Sequence, residues 1–329
     1  MKHILVAGGA GYIGSHMVAL LLEKNYEVTV VDNLSTGHWQ AVKGATLRVG
    51  DLRDSSFLDA VFREKQIDGV INFAAFSLVG ESMTNPLKYY GNNVAGAQSL
   101  LQTMSQHKVD KIVFSSTAAT YGEPVKQPIE ETDPTAPTNP YGASKLAVEG
   151  MLKWCDSAYG IHYAALRYFN AAGSNTQAGI GEDHNPESHL IPIVLQTALG
   201  KRSHIGIYGD DYPTEDGTCV RDYIHVRDLA EAHLLALLHL DKTGESSIFN
   251  LGSGDGYSVN QIIETARKIT GKEIPAKVEP RREGDPSVLI ASNVKAGKIL
   301  GWKPARNLED IISDAWVWHQ GHPDGYGKG

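Results

Sequence analysis

The sequence predicts an α/β fold in which a doubly wound parallel sheet is followed by a smaller α/β domain. Three observations predict it. Short apolar runs alternate with helical patterns through the first half of the chain, a glycine-rich turn joins the first run to the first helix, and the alternation stops after Asn170. Strands that read as continuous apolar segments are those covered on both faces, as in a parallel sheet flanked by helices.

The elements follow in order. Ile4 to Ala7 is an apolar run of strand length, and residues Tyr12 to about Lys24 carry Ile13, Met17, Leu20 and Leu21 at helical spacing. Further strands are expected at Glu27–Val31, Thr46–Val49, Gly69–Ala74, Lys111–Ser115 and Tyr163–Tyr168. Helices are expected between them at Ser56–Lys65, Tyr89–His107 and Tyr141–Tyr159. Residues 171–188, rich in Gly, Asn, Ser and charge, read as a long loop or lid. Beyond them, prolines at 192, 213, 275, 280, 286, 304 and 323 punctuate shorter elements.

Bulk properties exclude several classes. A chain of 329 residues with 42% hydrophobic and 21% charged residues has the composition of a globular protein. Its net charge of −8 leaves no basic surplus for a nucleic-acid backbone. Only Cys155 and Cys219 are present, with no CxxC pair, so neither a disulfide scaffold nor a zinc ribbon is expected and a cytoplasmic setting is. No apolar run approaches the ~18 residues of a membrane span. The thirteen histidines show no HxH or HxxxH spacing, and no metal site is expected.

The turn Gly8-Gly9-Ala10-Gly11-Tyr12-Ile13-Gly14 lies between a strand and a helix. Glycines there permit a sharp turn, close backbone approach to a pyrophosphate, and tight packing of helix on strand. The helix N-terminus adds free N–H groups and a positive dipole end. Asp32 ends the second strand, where a carboxylate bonds the adenosine ribose and repels a 2′-phosphate. Together these are the Rossmann-type signature, and they point to NAD rather than NADP. Asp51-Leu52, after the third strand, are placed to hold the adenine edge.

Chemistry gathers at the ends of later strands. Lys111–Ser115 runs into Ser116 and Thr117, and Pro140-Tyr141-Gly142-Ala143-Ser144-Lys145 opens a helix with Asn139 as N-cap. Tyr141 and Lys145 are one helical turn apart and share a face. An ammonium beside a phenol lowers its pKa, which makes Tyr141 a candidate general base, with Thr117 bonding the same reacting oxygen.

These residues bring out a resemblance. The chain resembles the extended short-chain dehydrogenase/reductase superfamily, and within it the UDP-galactose 4-epimerase family, over nearly its whole length. The motifs are GGAGYIGSH at 8–16, VDNLSTG at 31–37, GESMTNPLKYYGNNV at 80–94, FSSTAATYG at 114–122 and NPYGASK at 139–145. Others are LRYFNAAG at 166–173, DDYPTEDGTCVRDYIHVRDLA at 210–230, NLGSG at 250–254 and PRREGDP at 280–286. The resemblance implies an NAD-binding domain over 1–170 with a returning segment near 222–240, and a UDP-sugar-binding domain over 171–329. It implies NAD contacts from Gly8, Gly11, Tyr12, Ile13 and Gly14, then Asp32, Asn33, Leu34, Ser35, Thr36 and Gly37. Asp51, Leu52, Phe73, Ala74, Ala75, Phe76, Ser77, Asn92, Thr117, Tyr141, Lys145 and Phe169 complete that set.

For the UDP-sugar it implies Thr117, Tyr141, Asn170, His189, Leu190, Gly206, Ile207, Tyr208, Arg221, Arg282, Glu283, Gly284, Asp285 and Leu289. Arg221 and Arg282 also suit a diphosphate by their own chemistry, as permanently charged forks. The activity implied is reversible C4 epimerisation of UDP-galactose and UDP-glucose through a 4-keto sugar, with tightly held NAD and a homodimer. The dimer would pair helices beginning near Tyr89 and Tyr141, with Val94, Leu100, Leu101, Val148, Met151 and Leu152 offering apolar faces or equally serving as intramolecular core.

Three positions depart from strictly glucose-selective members. Ser77 stands where lysine is usual, His189 where asparagine is, and Leu289 where a tyrosine closes the pocket beside C2. A pocket that also admits UDP-GalNAc and UDP-GlcNAc, or one whose main activity is on UDP-GlcNAc, therefore stays open. A 4,6-dehydratase needs an acid–base pair after the strand hydroxyl, where this chain has Ala118-Ala119. A simple reductase would exchange its cofactor each turn. A non-catalytic NAD-binding scaffold would be expected to lose the tyrosine or lysine, and both are present.

Overall fold

The computed structural model describes residues 1–282 and 285–327. The main sheet draws on β1 (His3–Ala7), β2 (Glu27–Asp32), β3 (Thr46–Val49), β4 (Gly69–Asn72), β5 (Lys111–Ser115) and β6 (His162–Tyr168). After the short β7 (Asn170–Ala172), β8 (Ile205–Tyr208), β9 (Val220–Arg221) and β10 (Tyr223–His225), the strand β11 (Ser247–Leu251) returns to it. The strand order is β11-β6-β5-β4-β1-β2-β3, with every neighbouring pair parallel. Order reverses between β1 and β4, and at such a switch point the loops leaving the two strands part to open a crevice.

Burial explains the central strand. All five residues of β1 are buried. One face packs with helix Tyr12–Glu23 through Met17, Val18 and Leu21, the other with Leu58, Leu100, Met104 and Leu152. Helix Val226–Thr243 lies against helix Tyr12–Glu23 and beneath β5 and β6. It belongs to the same core as Leu229, Leu237, Phe249 and Leu251.

A second core gathers Ile191, Val194, Leu195, Ile207, Ile262, Ile263, Ile311 and Ile312. Its sheets are small: β10 with β7, β8 with β13 (Ala276–Glu279), and β9 between β12 (Tyr257–Ser258) and β14 (Val288–Leu289). Among the described residues no helix is long and apolar enough to cross a membrane.

Four sequence expectations are revised. Strand β4 stops at Asn72, because its Oδ1 accepts the Ala74 N–H at 3.0 Å and turns the chain out of the sheet. The single helix expected over Tyr89–His107 is helix Pro86–Tyr89, a π-helical turn at Tyr90–Val94, and helix Ala95–Gln106. Segment 173–189 is strapped down rather than free. Ser174 Oγ donates to the Asp314 carbonyl at 2.7 Å, and Trp318 Nε1 donates to the Glu182 carbonyl at 2.9 Å, both from the C-terminal helix Leu308–Gly321. Leu100, Leu101, Val148 and Leu152 are intramolecular core. Helices Pro86–Tyr89 and Pro140–Tyr159 expose Leu87, Trp154 and Tyr159, at 81%, 72% and 66%.

Candidate active site

Two adjoining cavities open at the switch point, one of about 830 Å³ and one of about 90 Å³. The glycine turn forms their floor. Gly8 has φ +70°, and a Cβ there would sit 2.5 Å from the Ala74 nitrogen. At Gly14 a Cβ would sit 2.2 Å from the Gly8 carbonyl oxygen. A side chain at Gly8 would push away the backbone that follows β4, and one at Gly14 would push the helix off the turn. Helix Tyr12–Glu23 begins there without a side-chain cap, so its first N–H groups are open to an anion.

Asp32 is buried at the end of β2. Its carboxylate accepts from the Ala10 N–H at 2.9 Å and the Leu34 N–H at 2.8 Å, bracing the turn. Burial raises its pKa, and those two N–H bonds oppose the rise. The smaller cavity is lined by Asp32, Asn33, Ser35, Thr36, Asp51, Leu52, Phe73, Ala74, Ala75, Phe76 and Asn92. Asp51 is held well below the usual carboxylate range by Arg53, which bonds it at 2.8 and 2.7 Å.

The larger cavity brings together Gly8, Gly11, Tyr12, Ile13 and Gly14 with Ser77, Thr117, Tyr141, Lys145, Phe169 and Asn170. His189, Arg221, Arg282, Asp285 and Leu289 complete its wall. Leu34, Gly37, Leu190, Gly206, Ile207 and Tyr208 line neither cavity. Ile207 is core, and Tyr208 instead carries the Arg282 guanidinium 4.0 Å above its ring. Glu283 and Gly284 lie outside the described residues.

Helix Pro140–Tyr159 presents Tyr141 and Lys145. Asn139 Oδ1 caps it by accepting from the Gly142 N–H at 2.8 Å, and Pro140 opens it. The tyrosine differs from expectation. Burial raises the Tyr141 pKa, and a hydrogen bond with Thr117 counters this. The Lys145 ammonium donates instead to the Ser115 carbonyl at 2.7 Å. Burial also pulls its own pKa down to about 7. Low polarity disfavours charge on both groups.

Several polar ties behind the site were not singled out from the sequence. Asn93, inside the π turn, accepts from the Phe76 N–H at 2.9 Å and donates to the Phe76 carbonyl and Ser144 Oγ, each at 3.1 Å. It ties the loop after β4 to the tyrosine helix. Glu149, one turn beyond Lys145, accepts from Ser116 Oγ at 2.5 Å and from Arg167 at 2.9 and 2.5 Å, all buried. On the opposite wall Asn170 Nδ2 donates to the Asp222 carbonyl at 2.9 Å, and Arg221 pairs with Asp285. Glu182 and His184 join that wall as well.

Comparison with known proteins places this geometry. Residues 4–252 match the model of the NAD dependent epimerase/dehydratase family. A UDP-glucose 4-epimerase of Halalkalibacterium halodurans is 60% identical, the match covering 98% of this chain and 97% of that protein. A crystal structure of a UDP-glucose 4-epimerase superposes with a TM-score of 0.98 at 55% identity, covering 99% of this chain and 100% of the other. That of Bifidobacterium longum, in complex with NAD+ and UDP, gives 0.92 at 41% identity over 99% and 100% of the two chains. With its glycine turn, Asp32 and the tyrosine helix all facing one cleft, the chain belongs to the NAD-dependent epimerase/dehydratase family, on its UDP-glucose 4-epimerase branch.

Proposed function

We propose that this chain is an isomerase that interconverts UDP-galactose and UDP-glucose, using NAD that stays bound. The carrying observation is that Thr117 from the end of β5 and Tyr141 from a separate helix meet in one buried pocket. That pocket lies between the phosphate-sized glycine cradle and Arg221 with Arg282. The UDP-glucose 4-epimerase relatives support the same substrate pair. A main activity on UDP-GlcNAc is not favoured: Leu289 packs with Phe169 onto Ala118, Tyr121 and Ile129, a braced wall for the sugar.

NAD would be held by the glycine turn, Asp32, Asn33, Ser35, Thr36, Asp51-Leu52, Phe73 to Ser77, Asn92 and Phe169. When bound, it supplies the acceptor and donor for the hydrogen at C4. Tyr141 takes the proton of the 4-hydroxyl and later returns it, while Thr117 bonds the same oxygen. Lys145, donating to the Ser115 carbonyl, ties the tyrosine helix to the end of β5. Asn170, Arg221, Arg282 and Asp285, on the wall of the larger cavity, would hold the nucleotide diphosphate and sugar. Held by its diphosphate end, the 4-keto sugar can turn its other face before the C–H bond is remade.

In this reading residues 1–170 with the returning segment form the cofactor domain and 171–329 the sugar domain. The chain works in the reducing cytoplasm, where its two free cysteines persist, as a homodimer built on the helices near Leu87 and Trp154. The test is a desalted preparation assayed without added cofactor. Wild type should convert UDP-galactose to UDP-glucose, and faster than it converts UDP-GalNAc. Tyr141→Phe should keep its NAD absorbance yet lose about 10²–10⁴-fold in turnover, the range of a general acid–base group. Near-normal turnover in that variant would refute the base assignment.

A further inference from the structure

Four side chains meet in the strapped loop between β7 and helix Leu190–Ala198. His189 Nδ1 lies 2.9 Å from Glu182 Oε1 and 2.9 Å from Glu187 Oε1. His184 Nδ1 lies 3.1 Å from Glu182 Oε1 and 3.7 Å from Glu187 Oε2. One ligating atom from each residue falls within 4.8 Å of all the others. Zinc–ligand bonds of about 2.0–2.1 Å put tetrahedral ligand atoms about 3.3 Å apart, so these separations bracket that geometry.

The surroundings favour a cation. The Glu182 and Glu187 side chains are only 4% and 5% exposed, and two buried carboxylates side by side demand positive charge between them. Two imidazoles and two carboxylates form a mixed nitrogen–oxygen donor set of the kind zinc-class ions take. A divalent ion replacing two imidazole protons leaves the cluster's net charge unchanged. The main chain beneath is fixed from outside, with Trp318 on the Glu182 carbonyl and the Tyr12 ring edge-on to His184 at 6.0 Å.

We propose that Glu182, His184, Glu187 and His189 form a binding site for a divalent transition-metal ion of the zinc class. The ion ties together the loop that walls the larger cavity beside Tyr12. Its place is structural, and no movement of the substrate's proton passes through it. The spacing Glu-x-His-x-x-Glu-x-His is not a helical ligand pattern, so only the loop's path unites the four.

The full-length protein with its cofactor, dialysed against EDTA, tests this by titration with Co²⁺ and then Zn²⁺. The expected result is one ion per chain, with a visible cobalt d–d absorption of tetrahedral strength that Zn²⁺ abolishes. The double variant His184→Ala/His189→Ala, checked by circular dichroism and retained NAD, should lose both signals. No uptake by wild type, or the same cobalt spectrum in the folded variant, overturns the proposal. Should the variant fail to fold, crystals of wild type soaked in Zn²⁺ decide by anomalous scattering. A peak among the four side chains supports the site, and its absence there overturns it.

Discussion

Tyr141 and Lys145 share a helix face as their spacing requires, yet each has its charged form disfavoured by burial. For Lys145 this has a consequence for stability. Its pKa is about 7 in the folded chain against 10.5 for the free group. Below pH 7 the ammonium is present in both states and its burial penalty is fully felt. Between the two values the unfolded chain binds more protons, so this contribution raises stability with pH, and above both it vanishes. Lys145→Met should therefore gain melting temperature over wild type at about pH 6 and lose most of that advantage near pH 10. An offset independent of pH would show that the amine is not buried in this way. Legibility at this scale was mixed. The lysine was recognisable one turn from the tyrosine, but its bond to the Ser115 carbonyl depends on where the strand ends, which no local pattern encodes.

At the scale of elements, two strands and one helix are held in register by polar ties. The ion pair of Glu149 with Arg167 joins the tyrosine helix to β6, and Ser116 adds the end of β5. Replacing one partner strands the other charge inside the core. Glu149→Ala is expected to cost about 3–5 kcal/mol, read as a lowered denaturation midpoint. A change within ~0.5 kcal/mol, typical of a surface site, would contradict this tie. The apolar runs of β1, β2 and β5 were readable because strands buried on both faces admit few other residues. The π turn at Tyr90–Val94 was not, since its widened ring is set by Asn93 reaching across to Phe76. Strand β11 escaped notice for another reason. Five residues between a helix and a turn carry little period, and only the exposed edge of β6 gives them a partner.

Across the whole molecule, two cores meet at one cleft, and the sequence showed the first more clearly than the second. The glycine turn and Asp32 lie within one strand–helix–strand unit, where local spacing reports geometry directly. The opposite wall draws on residues from 170 to 289, whose meeting depends on short strands such as β9 and β14 pairing across long intervals. The same limit applies to assembly. The resemblance offered Leu100 and Val148 as a dimer face or as core, and the chain buries both itself, while Leu87 and Trp154 remain exposed. A homodimer on that face predicts that Leu87→Glu/Trp154→Glu elutes as a monomer by light scattering while wild type elutes as a dimer. An unchanged dimer mass in the variant would move the interface elsewhere.

The central claim is that hydrogen leaves C4 and returns to it inside one closed pocket, with Tyr141 handling only the hydroxyl proton. UDP-galactose carrying deuterium at C4 tests it directly, with the desalted protein and no added nucleotide. The account predicts UDP-glucose that keeps the deuterium at C4, with none appearing in water. Product that has lost the label to solvent would mean that C4 is inverted by other chemistry.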